Sequence, residues 1–115
     1  MKTLIVENTW MKNLSIPHGW GNGYVLIPKD HKCYNIDYDT LDMIIEIHGG
    51  ITYAEHVNED DYKYFTGLTK EDIGKRMVGF DTGHYMDTLK NWPKERVQEE
   101  ADKLLKQLQE YEQEE

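Results

Sequence analysis

The sequence predicts an α+β fold: one antiparallel sheet of about four to five strands packed against a long C-terminal helix. Short β-type runs bounded by Gly, Pro, Asn and Asp recur between residues 4 and 80. Apolar residues after Pro93 recur at four-three spacing, the signature of a helix with one buried face. A chain of 115 residues has room for a single modest core, and no internal repeat or second domain is visible. Residues 1–115 therefore read as one domain, with 1–22 an irregular N-terminal segment carrying an edge strand and 93–113 the helix.

Leu4-Ile5-Val6 is the edge strand, followed by the breakers Pro17, Gly19, Gly21 and Asn22. Tyr24-Val25-Leu26-Ile27 is a strand stopped by Pro28. Met43-Ile44-Ile45-Glu46-Ile47 gives the strongest strand signal, and Ile51-Thr52-Tyr53-Ala54 follows at once. Gly49-Gly50 between them supplies the positive φ angles of a two-residue hairpin turn. Residues 57–66 read as an acidic, aromatic loop. Thr69 and Asp72 form a capping pair for a short helix ending near Gly74. Met77-Val78-Gly79-Phe80 is the next strand. Pro93 suits the first position of the last helix, whose stripe is Val97, Ala101, Leu104, Leu108 and Tyr111, widened by Leu105. Glu99 with Lys103 and Asp102 with Lys106 are i,i+4 pairs, and the final glutamates oppose the helix dipole and fray the last turn. From Leu108 onward the helix is expected to project and pair with a second copy, giving a homo-oligomer.

The formal net charge is −9, of which the segment from Pro93 onward contributes −4 through four basic and eight acidic residues. Such a surface argues against general nucleic-acid binding and leaves plain solubility or a basic partner. Cys33 is the only cysteine, so no internal disulfide and no thiolate cluster can form, and a reduced compartment is expected. No signal-like run opens the chain and nothing approaches the ~20 apolar residues of a membrane span. A cytoplasmic location is the expectation.

Two phrases carry the chemistry. In His48-Gly49-Gly50-Ile51-Thr52-Tyr53 and in Gly79-Phe80-Asp81-Thr82-Gly83-His84-Tyr85-Met86-Asp87, a histidine stands beside glycine at the apparent end of an apolar strand. An imidazole there can bind a metal, carry a proton or grip an anion. His48 and His84 are expected at one end of the sheet, bordering one cavity. Asp81, His84 and Asp87 follow one another at three-residue steps, and a helical turn would put them on one face as candidate ligands for zinc or manganese, to which His48 from the neighbouring hairpin would add a second imidazole. Alternatively, Asp81 caps a turn and His84 bonds to backbone. Without metal, His84 can act as a base oriented by Asp81 or Asp87, with His48 as the acid, which makes His48, His84 and Asp81 the catalytic candidates. The ligand-binding candidates are His48, Gly49, Gly50, Tyr53, Asp81 and His84. Gly49-Gly50 either only turns the chain or also exposes N–H groups to an anion. His18, Trp20 and Tyr24, with Trp10 nearby, either stack a flat ligand or pack under a loop. His31 and His56 lie in polar stretches and are expected to be solvated, and Asn58-Glu59-Asp60-Asp61 is an exposed loop without the spacing of a calcium site.

The two phrases also carry a resemblance. Gly23-Tyr24-Val25 through Pro28 and His31, then Tyr38-Asp39, the two histidine phrases and the closing Val97 to Leu104 resemble a family of small uncharacterised proteins of bacteriophage and prophage sequences. The match spans about Gly23 to about Leu108 and rests on the patterns HGG(I/L)TY and GFDxxHxxD. Arg76-Met77-Val78 departs from it, since relatives are more tryptophan-rich there, which implies a different wall to any pocket. The resemblance implies a phage-type accessory protein acting in a host cytoplasm against a host defence. The first expectation is binding of a small nucleotide-like ligand near His48, Asp81 and His84. The alternatives are an acidic protein–protein inhibitor of a basic host factor, or a metal-dependent phosphodiester hydrolase. The sequence identifies no cofactor.

Overall fold

Alternation along the strands builds the sheet. In β2 (Gly21–Ile27), Val25 and Ile27 face one way and Tyr24 and Leu26 the other, and all four are buried. β4 (Arg76–Phe80) repeats this, with Val78 and Phe80 on the first face and Met77 on the second. Strands covered on both faces read as continuous apolar runs, which is why both stood out in the sequence. β1 (Lys2–Glu7) and β3 (Tyr53–His56) are the edges of this four-stranded antiparallel sheet, ordered β1-β2-β4-β3. The computed structural model describes residues 1–9 and 14–113, so Trp10 and the two final glutamates lie outside the described residues. Between the strands lie α1 (Tyr38–Ile44), α2 (Asp61–Tyr64) and the 3-10 turns Lys32–Tyr34 and Lys70–Asp72. The long helix α3 (Lys94–Gln113) closes the fold, making it the expected α+β architecture of one antiparallel sheet and one C-terminal helix.

The helix docks through its apolar stripe. Val97, Ala101, Leu104 and Leu108 are completely buried against Val25, Ile27, Val78 and Phe80, and Tyr111 packs on the same core. Gly23 permits this approach, because a Cβ there would stand 2.6 Å from the Phe80 ring and 3.2 Å from the Ala101 methyl. Leu108 is satisfied within its own chain, so the projecting tail expected from this point is not formed by it. Pro93 sits just before the helix, its carbonyl accepting from the Val97 N–H at 3.1 Å. Lys103 lies 3.8 Å from Glu100 rather than pairing with Glu99. The opposite face, with Leu4, Tyr24, Leu26 and Met77, is covered by Val57 and Leu68 and by the partly buried Tyr62 and Phe65. The capping box at Thr69 and Asp72 forms as expected. Asp72 is buried, which pushes its carboxyl up, but Lys2 at 2.8 Å, the Thr69 N–H at 2.9 Å and Lys75 at 3.0 Å outweigh burial and hold it well below the usual carboxylate range. Among the described residues no helix is long and apolar enough to cross a membrane.

The region from Tyr38 to Tyr53 departs from the sequence reading. Met43–Ile47 is not a strand, and Gly49-Gly50 does not join a hairpin. Asp37 caps a helix instead, its carboxylate accepting from the Thr40 N–H at 3.1 Å and the Thr40 hydroxyl at 2.8 Å, and Leu41 buries that helix. Ile45 and Ile47 are then buried along an extended segment whose hydrogen-bonding partner is a helix side chain, not a strand. Gln107 accepts from the Glu46 N–H at 2.7 Å and donates to the Glu46 carbonyl at 2.8 Å. Ile45-Glu46-Ile47 alternates like a strand, but the Ile45 N–H closes α1 on the Leu41 carbonyl and α3 takes the Glu46 N–H and carbonyl.

His31 also departs from expectation. It is buried, with Nδ1 accepting from the Cys33 N–H at 2.9 Å and Nε2 donating to the Leu108 carbonyl at 3.1 Å. This ring ties the Lys32–Tyr34 turn to α3. His56 is exposed, with its ring 4.9 Å from that of Tyr34. His18, Trp20 and Tyr24 do not form a platform. His18 is buried with Nδ1 2.6 Å from the Gly19 carbonyl, Trp20 packs on the α3 side, and Tyr24 lies on the other face.

Candidate functional site

The register of the edge strand brings the two histidine phrases together. β3 begins at Tyr53, opposite Gly79 near the end of β4, so the turn leading into β3 and the loop leaving β4 share one end of the sheet. The first turn is Ile47-His48-Gly49-Gly50, closed by the Gly50 N–H on the Ile47 carbonyl at 3.0 Å. Gly49 and Gly50 have φ of 71° and 80°. The Gly50 N–H is therefore already engaged and does not cradle an anion. Asp42 on α1 secures the far side by accepting from the Ile51 N–H at 2.7 Å.

The second loop does not turn helically. His84-Tyr85-Met86-Asp87 is a β-turn, the Asp87 N–H donating to the His84 carbonyl at 3.0 Å. Met86 has φ of 75°, a left-handed conformation costing a non-glycine residue on the order of 1–2 kcal/mol. The turn still gathers Asp81, His84 and Asp87. His84 Nδ1 lies 3.2 Å from Asp81 Oδ1 and 3.2 Å from Asp87 Oδ2, and Asp87 Oδ2 also accepts from the His84 N–H at 2.9 Å. The preceding Thr82 anchors the loop, its buried hydroxyl donating to the Gly21 carbonyl at 2.7 Å.

Asp87 is the hub. Its side chain is only 4% exposed, and His48 Nε2 lies 2.8 Å from Oδ1. The His48 and His84 rings meet edge to face with centroids 5.5 Å apart. Each ring is supported from behind. His48 lies on Trp92 at 4.1 Å, and its own N–H donates to Glu100 on α3 at 2.9 Å. His84 lies over Gly49, where a Cβ would stand 2.4 Å from its Cε1. Glycine at 49 thus serves both the positive φ and the close approach of the second imidazole.

A groove of about 570 Å³ opens beside His84, lined among others by Ile16, Pro17, Tyr85, Met86 and Asn91. His84 borders it, whereas His48 stands behind His84 and is not part of its wall, so only one of the two histidines borders the cavity as expected. Tyr85 is 94% exposed at the rim. Tyr53 is not brought to the cluster. It faces the opposite side of the sheet, edge to face with Tyr24 at 5.6 Å. Burial first, then Asp61 and neighbouring groups, push its phenol up to about 12.

The sequence reading missed Trp92, Glu100 and Asp42, which position the cluster. Glu100 and Gln107 stand seven residues apart at the border of the α3 stripe, and that spacing is the signal that could have marked a helix edge receiving another segment. Comparison of the chain with family models, with curated proteins and with solved structures gave no match.

Proposed function

We propose that the chain binds a compact, nucleotide-like ligand at the end of the sheet where His48, Asp81 and His84 converge. The observation supporting this most is the meeting of two partly exposed imidazoles, at 5.5 Å, beside a groove of about 570 Å³. Small-molecule sites span roughly 300–1,000 Å³ and combine apolar walls with a few polar groups. Ile16, Pro17 and Met86 offer an apolar surface to a base, Tyr85 offers a ring to stack on, and His84 offers nitrogen to a phosphate. The net charge of −9 disfavours a polyanion but not one small ligand held by local groups. A role in countering a host defence from within the host cytoplasm rests on the resemblance to bacteriophage and prophage proteins.

Calorimetric titration with AMP, ATP and a cyclic dinucleotide tests the reading. Saturable binding of at least one, lost in His84→Ala with thermal stability nearly unchanged, supports it. Binding by none of them, or equal binding by His84→Ala, overturns it. Loss of function on charge reversal at Glu59, Asp60 and Asp61 instead of at His84 would favour the acidic-inhibitor reading.

A further inference from the structure

We propose that His48, His84 and Asp87 form a binding centre for one divalent transition-metal ion of the zinc class. The proposal goes beyond the ligand reading and stands on its own geometry. One nitrogen of each imidazole and one oxygen of Asp87 all lie within 4.8 Å of one another. A tetrahedral zinc ion with bonds of about 2.0–2.1 Å requires ligand–ligand edges of about 3.3–3.4 Å. His48 Nε2 lies 2.8 Å from Asp87 Oδ1 and His84 Nδ1 3.2 Å from Asp87 Oδ2, so the two imidazoles flank the same carboxylate, and an ion between them requires the carboxylate to turn and the three donors to close from within 4.8 Å to those edges.

The donor set selects the ion. Two imidazoles and one carboxylate suit zinc and its neighbours, whereas magnesium and calcium take oxygen shells. Cys33 is buried in the core near α3 and supplies no thiolate here. The sequence expectation grouped Asp81, His84 and Asp87 and added His48 as a second imidazole; of these four, Asp81 is the one left out. Asp81 reaches His84 but stands outside the three-donor group, with its side chain 42% exposed. His48 joins from the facing turn, as expected of it.

Burial and support favour a preorganised centre. Asp87 is almost fully buried, while the His48 and His84 side chains are 26% and 36% exposed, so the centre is closed behind and open in front. That opening leaves a coordination position toward solvent, as catalytic zinc sites do and structural ones do not. Outer contacts fix the ligands: Trp92 and Glu100 hold His48, and the backbone at Gly49 supports His84. For coordination, each imidazole presents the lone pair of the nitrogen now facing Asp87, with its proton on the other ring nitrogen.

The test is titration of the chelator-treated full chain with zinc chloride, followed by cobalt loading. The proposal expects one equivalent of zinc bound, undisplaced by excess magnesium. It expects an affinity loss of about 10–100-fold or more in His48→Ala and in His84→Ala, and a smaller loss in Asp81→Asn. Cobalt in place of zinc should give the intense visible bands of a four-coordinate ion, a readout on the wild-type chain that no misfolded variant can mimic. Failure to saturate at one equivalent overturns the proposal, as does unchanged affinity in the folded double variant His48→Ala/His84→Ala, or a cobalt spectrum of the weak six-coordinate kind. AMP titration in the presence of chelator separates the two ideas, since nucleotide binding without metal would sustain the ligand reading while the zinc result decides the centre.

Discussion

His31 and the pair His48/His84 put the same side chain to two uses. The His31 ring is buried between two main-chain groups, accepting from Cys33 and donating to Leu108, so its proton position is dictated and both ring nitrogens are engaged in the fold. The His48 and His84 rings face carboxylates and remain partly open to solvent. Backbone partners make a histidine a fastener, whereas carboxylate partners beside a groove make it a candidate for metal or proton chemistry. Both regions hang on α3, through the Leu108 carbonyl for one and the Glu100 carboxylate for the other.

That contrast can be broken experimentally. The largest stability effect is expected at the shared support. Leu104→Ala, at a completely buried position, should cost about 2–5 kcal/mol in denaturant unfolding and loosen both regions. His31→Ala should cost about 1–3 kcal/mol by leaving a buried N–H and a buried carbonyl without this partner, and it should leave binding at the His48/His84 cluster in place. Gly49→Ala should cost about 1–2 kcal/mol from the positive φ alone. It should also weaken zinc binding, because the new methyl collides with the His84 ring. His84→Ala should change stability least, by roughly 0.5 kcal/mol or less as for a surface-type substitution, while removing binding. If His84→Ala destabilised the chain more than His31→Ala, the distinction between fastener and site would fail.

Acid sharpens the picture away from the site. The Asp72 carboxyl is lower in the folded chain than in the unfolded one, so the folded state binds its proton less readily. Its contribution is therefore full above a pH of about 4, near the unfolded value, and is lost as pH falls through the lower folded value. Asp72→Asn should flatten the dependence of unfolding free energy on pH below about 4, relative to wild type, in acid titration.

The strands β2 and β4 and the α3 stripe were legible because local pattern and burial agree there. Val25 and Ile27, Val78 and Phe80, and the 97-101-104-108 series each sit where their periodicity places them. Met43–Ile47 was misread because only Ile45-Glu46-Ile47 alternates in burial, and its partner is not a strand. The helix that the Asp37 cap starts runs on through Met43 and Ile44, and Gln107, far along the chain, takes the Glu46 amide and carbonyl. In the cluster, a histidine beside glycine marked the two rings that come together, His48 and His84. The cue could not reveal Asp87 as the shared hub, nor Trp92 and Glu100 behind His48, since those contacts exist only once α3 has docked. His31 was misassigned for the same reason: a polar neighbourhood in sequence does not show that the chain folds over it.

The most direct measurement is a long-range ¹H–¹⁵N spectrum of the imidazole nitrogens during addition of one equivalent of zinc chloride to the full chain. The account predicts that the His48 and His84 nitrogens shift together and saturate at one equivalent, while His31 keeps its proton on Nε2 and does not move. Unshifted His48 and His84 signals, or a His31 signal that shifts with them, would contradict it.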